Sequence, residues 1–336
     1  MKYLYIILIS WTIISCHEQQ KVTSILIEVA DRVDVIFYTA PLSVSGYVGF
    51  IDTLVRNENG HFELTFDLSQ PSFIHISYES LEKQIKLLVE PGNNYNLSIS
   101  SDKSFQINGA NAKGQMLYAS LSNPSVVIND VERIADPYND TLSLAETHQK
   151  VVSLKEEELA KFKSLLKESQ ITKSFYRLIE KDRDCYFAAL ESIHSLRRTY
   201  KDISLDMPAE RSIIQNLRNI YAQYPPNDNR YVFSSFWYEY AGFYINAFQQ
   251  FIQQDFQIQK FDSLKMNKVF HTYTINETKQ YLTGKGLEYF QARYIHSEFL
   301  DENDTPEIEL LFEQFKKDYP NSKFTRFFDD ELFRHK

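Results

Sequence analysis

From Val22 to about Gly109, hydrophobic and polar residues alternate with a period of two, and turn residues recur about every ten positions, which predicts a run of antiparallel strands. The clearest strand sets Phe62, Leu64, Phe66 and Leu68 against Glu63, Thr65 and Asp67. It follows Asn59 and Gly60, a pair that accepts the positive φ angles of a tight hairpin. The same alternation recurs in Ile74, Ile76 and Tyr78, in Ile85, Leu87 and Val89, and in Tyr95, Leu97 and Ile99, with Pro71 and the pair Pro91, Gly92 as punctuation. One face of each strand is oily and the other wet, so the pattern over 22–109 predicts a twisted sheet or small sandwich of roughly seven or eight strands.

After Ala110 the period changes to 3.6, and a helical domain is expected over 110–336. Phe175, Leu178, Ile179, Tyr186, Ala189, Leu190, Ile193, Leu196 and Tyr200 fall on one face of a long helix, and Pro208, Pro225, Pro226 and Pro306 mark later boundaries. Thr305 before Pro306 reads as the cap of a helix running towards Lys317. The expected class is therefore α+β: an N-terminal antiparallel β-sheet or sandwich domain followed by a C-terminal all-helical domain. No repeat of fixed period stands out, although paired helices raise a solenoid as the alternative.

The first residues follow a different logic. Lys2 and the apolar stretch Tyr3 to Ile14, ending in Ser15, form a signal peptide over 1–15, too short for the ~20 residues of a membrane-spanning helix. Ile13, Ile14, Ser15 and Cys16 resemble the bacterial lipobox, which implies diacylglycerol on Cys16 and cleavage just before it. The competing reading is an ordinary secretion signal that happens to hold a cysteine. Residues 16–21 would then be a short polar tether, and the default address is the outer membrane, facing the periplasm, with surface exposure as the alternative. With Cys16 acylated, Cys185 is the only thiol left, so no intramolecular disulfide can form.

Composition removes several functions. The net charge is -9, from 45 acidic and 36 basic residues, which disfavours nucleic acid as a partner. Only 9 glycines occur where about 24 would match the usual ~7%. Gly109 and Gly114 are spaced like a phosphate-binding loop, but Gln115 and Met116 stand where Lys and Ser or Thr must contact phosphate and magnesium. Asp301, Asn303 and Asp304 begin like a calcium loop that Thr305 and Pro306 then break. The eight histidines are scattered without ligand spacing, so neither a metal nor a cofactor is expected. His75 lies opposite Ile74 and Ile76 on its strand and reads as a solvated or sheet-surface residue.

Three features of the helical region remain. Cys185 flanks the apolar stripe of the long helix and reads as a small hydrophobe, its pKa raised by Asp182 and Asp184 and partly offset by Arg183. Asp182 falls near the middle of that stripe, so a buried Asp182 would need an ion-pair or tyrosine partner. Between Arg230 and Phe256, 11 of 27 residues are aromatic, and Phe233, Phe236, Trp237, Tyr240, Tyr244, Phe248 and Phe251 share one helical stripe. Core packing is the main reading of this stripe. A groove that binds a glycan or peptide through Trp237, Tyr238 and Tyr240 is the other. Arg197, Arg198 and Lys201 form the only notable basic cluster, placed at a helix end.

Four segments together resemble the N-terminal half of TlpA-like thioredoxin-fold lipoproteins of Gram-negative bacteria: the lipobox, NGHFELTFDL, KLLVEPGNNYNLSI and FQINGANAKGQMLY. The stretch FEQFKKDYPNSKFTRFF is similar to the part that precedes their catalytic domain. The resemblance implies a lipoprotein leader, a β domain, a helical segment and then a thioredoxin-like domain with a Trp-Cys-x-x-Cys motif. No such pair occurs up to Lys336, so no catalytic residue of the family transfers to a position here. The expected function is a non-catalytic binding or spacing module, held to the membrane by its N-terminal lipid and facing a periplasmic protein or glycan. The alternatives are a fragment or truncated form of a TlpA-like oxidoreductase, and a glycan- or peptide-binding lipoprotein.

Overall fold

The computed structural model describes residues 22–40, 50–79, 81, 84–123, 126, 142–203, 211–253, 258–300 and 306–334. The leader, the tether with Cys16, and the Thr305 cap lie outside them. Eight strands are present among the described residues: β1 Val22–Val29, β2 Val35–Thr39, β3 Ile51–Val55, β4 Phe62–Asp67, β5 Ser72–Ser77, β6 Ile85–Val89, β7 Asn94–Ile99 and β8 Phe105–Gly109. They form two four-stranded sheets, the first in the order β4-β1-β7-β8 and the second in the order β3-β2-β5-β6. The inward-facing residues of the alternating pattern, among them Ile25, Ile27, Ile36, Phe62, Ile74, Leu87 and Leu97, meet in a core between the sheets. Each such side chain contributes about 1.5–3 kcal/mol by leaving water.

Two details depart from the alternation-based reading. β1 pairs β4 antiparallel but β7 parallel, with Ile25 opposite Tyr95 and Ile27 opposite Leu97, so the first sheet is mixed. Between β1 and β7 the chain lays down all four strands of the second sheet and places β4 on the other side of β1, and β7 arrives in the direction of β1. The turn at Asn59 and Gly60 forms, with Gly60 at φ 81, but β3 and β4 belong to different sheets and are not a hairpin pair. Arg56 secures this crossing. Its guanidinium donates to the carbonyls of Val33, Asp31 and Gly60 and lies 5.2 Å over the Phe62 ring.

The region after Gly109 is helical: α1 Ala112–Ala119, α2 Leu144–Lys167, α3 Lys173–Ile203, α4 Arg211–Gln223, α5 Trp237–Gly242, a π-helix Phe243–Gln253, α6 Ile258–Met266, α7 Phe270–Tyr281, α8 Gly284–Leu300, α9 Pro306–Asp318 and α10 Thr325–Arg334. Ser143 caps α2 in a capping box, its hydroxyl accepting from the Glu146 amide while the Glu146 carboxylate accepts from the Ser143 amide. α3 is the expected long helix, yet it is buried on every side from Asp182 to Leu196 because α2, α4 and α5 surround it.

The sheets do not keep a wet outer face throughout. Phe73 of β5 and Leu88 of β6 point away from the inter-sheet core and pack with Tyr118, Phe162, Phe175, Ile179 and Phe233 of the helices. At the other end of the second sheet, Phe50 lies 5.2 Å from both Phe324 and Phe327, and Arg326 pairs with Asp52.

Candidate functional site

Among the described residues, the two sheets leave one side of the sandwich open, where the edge strands β6 and β8 face a cleft of about 520 Å³. Ile85 and Lys86 of β6, Phe105 of β8, and Tyr118, Leu121 and Asn123 at the end of α1 line it. That volume lies within the ~300–1,000 Å³ of small-ligand sites.

Among the described residues, the edge of β6 is covered only in part. The Gln115 amide Nε2 donates to the Leu88 carbonyl at 2.6 Å, and its Oε1 accepts from the Leu88 amide at 3.1 Å. The Glu90 amide donates to the Tyr95 hydroxyl, and the Thr23 hydroxyl donates to the Glu90 carbonyl. Lys86 lies two residues before Leu88 and turns its peptide groups to the same side. They meet no partner among the described residues.

A buried polar network backs the cleft. The Lys86 ammonium donates to Ser235 Oγ at 2.9 Å and rests near the rings of Phe236 and Phe73, at 4.9 and 5.6 Å. Burial pushes its pKa down to about 8; the charge of Asp182 opposes the shift and that of Arg183 adds to it. Asp182 is fully buried and accepts from the Tyr118 hydroxyl and the Ser234 hydroxyl, each at 2.7 Å. Burial, then the negative charge of Asp182, holds the Tyr118 hydroxyl well above its ordinary pKa, so it remains a donor. Arg183, also fully buried, pairs with Glu158 at 2.8 Å and donates to Asn123 Oδ1 at 2.6 Å.

Lys86 and Ser235 stand at the separation of a serine–lysine dyad. At pKa about 8, however, the amine is protonated at neutral pH and donates to the hydroxyl instead of taking its proton. Ser235 does not border the cleft, whereas Lys86 does. The arrangement thus holds a positive charge beside an open, largely apolar space.

No known protein family, curated protein or solved structure matches the chain.

The aromatic residues singled out from the sequence sit elsewhere. Trp237 and Tyr240 have no exposed surface: the Trp237 indole donates to the Pro226 carbonyl at 2.9 Å, and the Tyr240 hydroxyl donates to the Tyr224 carbonyl at 2.6 Å. Tyr238 is half-buried, with one ring face 3.9 Å from the Arg293 guanidinium and Phe290 at 4.7 Å. The faces that a sugar would need are occupied by the protein's own side chains. Phe233, Phe236, Trp237, Tyr240, Tyr244 and Phe248 of the stripe pack into the hydrophobic core, as their spacing suggests, although Phe233 and Phe236 precede the start of α5.

Cys185 is fully buried, and its thiol pKa is raised well above the ordinary value by burial first and then by Asp182 and Asp184. No cluster of three or more metal-ligating side chains occurs among the described residues. Arg198 donates to the Leu142 carbonyl, which ties that part of α3 to the residue before the α2 cap.

Of the two expectations for His75, the sheet-surface position holds, while its ring is only partly exposed. The outer face of its strand is covered, its Nδ1 lies 3.2 Å from Gln84 Oε1, and its Nε2 is buried without a partner. Burial first, then Lys86 and Arg293, pushes its pKa down to about 3. His296, ringed by Phe50 and Phe328, is pushed down to about 4 by burial. Both folded values lie below the ~6.5 of an unfolded chain, which therefore takes up protons first as the pH falls. Stability should decline from about pH 6.5 down towards pH 3 through these two rings. Urea midpoints measured at pH 7 and pH 4.5 will check this, and His296→Phe should flatten the slope; an unchanged slope would remove His296 from the account.

Proposed function

We propose that this chain is a lipid-anchored binding module of the cell envelope, tethered through Cys16 and akin in role to the accessory N-terminal region of TlpA-like thiol-disulfide oxidoreductases. It acts by presenting the cleft between β6 and β8 to a periplasmic partner and performs no redox chemistry of its own. The observation that carries this reading is the contrast between its two polar centres. Cys185 is sealed in the helical core with its thiol held protonated, while Lys86 borders a cleft of about 520 Å³. A thiol that is neither accessible nor ionised is a poor agent of disulfide exchange, and a cation beside an apolar cleft is a binding feature.

Two measurements test the proposal. Cells fed an alkyne fatty acid should label the wild-type chain and not a Cys16→Ala variant, and labelling that persists in the variant removes the anchor. The purified protein should leave insulin disulfides intact in the presence of dithiothreitol beyond the background rate. Accelerated insulin reduction would overturn the non-catalytic reading and favour the oxidoreductase alternative.

A further inference from the structure

We propose that the open edge of β6 takes a short extended peptide by strand addition, with an acidic side chain beside Lys86 and apolar side chains on either side of it. This rests on the binding-module reading and names the ligand class for the same cleft.

The argument starts from the backbone. β6 is an edge strand, and an edge presents peptide donors and acceptors that a further strand can satisfy. Gln115 serves Leu88 with one donor and one acceptor, as a neighbouring strand would, and so closes the edge at that point. Lys86 has no such surrogate among the described residues. An added strand must therefore lie along Gln84 to Lys86 and stop before Leu88, which limits it to about three residues at ~3.3 Å each. The cleft stands along this part of the edge, with Gln84, Ile85 and Lys86 in its wall. A simple amphipathic acid could meet the charge and the apolar wall, but it would leave the Lys86 peptide groups unsatisfied.

Side-chain chemistry follows from the pleat. Ile85 faces the inter-sheet core, where Leu81 and Phe105 also pack, so residues of the added strand that flank its centre meet an apolar surface. Lys86 faces the helices, beside Tyr118 and Asn123. Its ammonium has Ser235 as hydrogen-bond acceptor and no carboxylate in ion-pair range among the described residues, the charge of Asp182 acting on it from further off, so a glutamate on the central residue supplies a direct ion-pair partner. The recognised pattern is apolar, acidic, apolar.

The probes are three fluorescein-labelled peptides on a Gly-Ser spacer: Val-Glu-Val, Val-Lys-Val, and Val-Glu-Val with its backbone amides N-methylated. Fluorescence anisotropy with the full chain should show saturable binding of the first, at least about tenfold weaker binding of the second, and none of the third. Val-Glu-Val should also slow hydrogen exchange at the Lys86 amide, and Lys86→Met should weaken it about tenfold, with Lys86→Arg restoring part of the loss. Equal binding of the N-methylated peptide, or no binding of any peptide to folded protein, overturns strand addition; the methylation control needs no protein variant and holds even if Lys86→Met fails to fold. Failure here while a soluble glycan fragment binds leaves the module reading standing, whereas insulin reduction by the chain would remove that reading whatever the peptides do.

Discussion

Asp182→Ala should cost about 3–5 kcal/mol of folding stability, a large share of the roughly 5–15 kcal/mol that holds a typical domain together. The carboxylate has no exposed surface and lies where α1, α3 and the segment before α5 converge. Its two oxygens accept one hydrogen bond each, from Tyr118 and from Ser234. Alanine would leave both hydroxyls buried without an acceptor, at about 1–3 kcal/mol each, and would remove the negative charge that acts on Lys86. Asp182→Asn keeps the shape and one acceptor oxygen, so a smaller loss is expected. Urea denaturation with an unchanged m-value is the measurement. A loss below about 1 kcal/mol for the alanine variant would mean that water or a neighbour replaces the carboxylate, and that the network does not hold α1, α3 and the segment before α5 together.

Asp182 is also the residue at which the sequence speaks most clearly. An acid in the middle of an apolar helical stripe announces a buried partner, and Tyr118 is the kind of partner anticipated. The strands were legible for the same reason, since period two reports which side chains leave water. Lys86 was not legible. It sits between Ile85 and Leu87, and in an alternating strand a lysine at the outward position reads as solvated. Only the helices packed on Phe73 and Leu88 make that outward face an interior one, and alternation carries no information about what covers the second face. His75 lies on the same outer face, and alternation does not show how far its ring is covered. In the sequence Gln115 stands only as a failed phosphate-loop position, while its role is to close the edge of β6 at Leu88. That contact joins residues 27 apart in the chain, and no local period encodes it. Trp237, Tyr238 and Tyr240 drew notice as a dense aromatic group, but density alone cannot separate a binding face from a core. Burial decides that, and it follows from the packing of α8 residues such as Tyr289 and Phe290 against them.

Gly109→Ala should lower stability by about 3 kcal/mol or more, through two causes that act together. Gly109 has φ 102, which an L-residue rarely adopts, and a Cβ there would stand 2.3 Å from the Asn94 carbonyl oxygen and 3.2 Å from the Tyr95 Cα. Both neighbours are backbone of β7, which is paired on its other side with β1, so the clash cannot be relieved by turning a side chain. Gly114 makes the useful contrast. Its φ is ordinary, and an added Cβ would meet side-chain atoms, Phe175 Cε1 at 2.5 Å and Ile171 Cγ2 at 2.7 Å. Alanine gains up to about 1 kcal/mol of helix propensity there against about 1–3 kcal/mol of overpacking, so a modest net loss is expected. Gly60, with φ 81 and open space around it, isolates the backbone strain at about 1 kcal/mol. Thermal midpoints of the three alanine variants should therefore fall furthest for Gly109, less for Gly114 and for Gly60. If Gly60→Ala falls as far as Gly109→Ala, backbone strain is the whole cause, and the close approach of β8 to β7 contributes nothing to the requirement for glycine at the junction of sheet and helix.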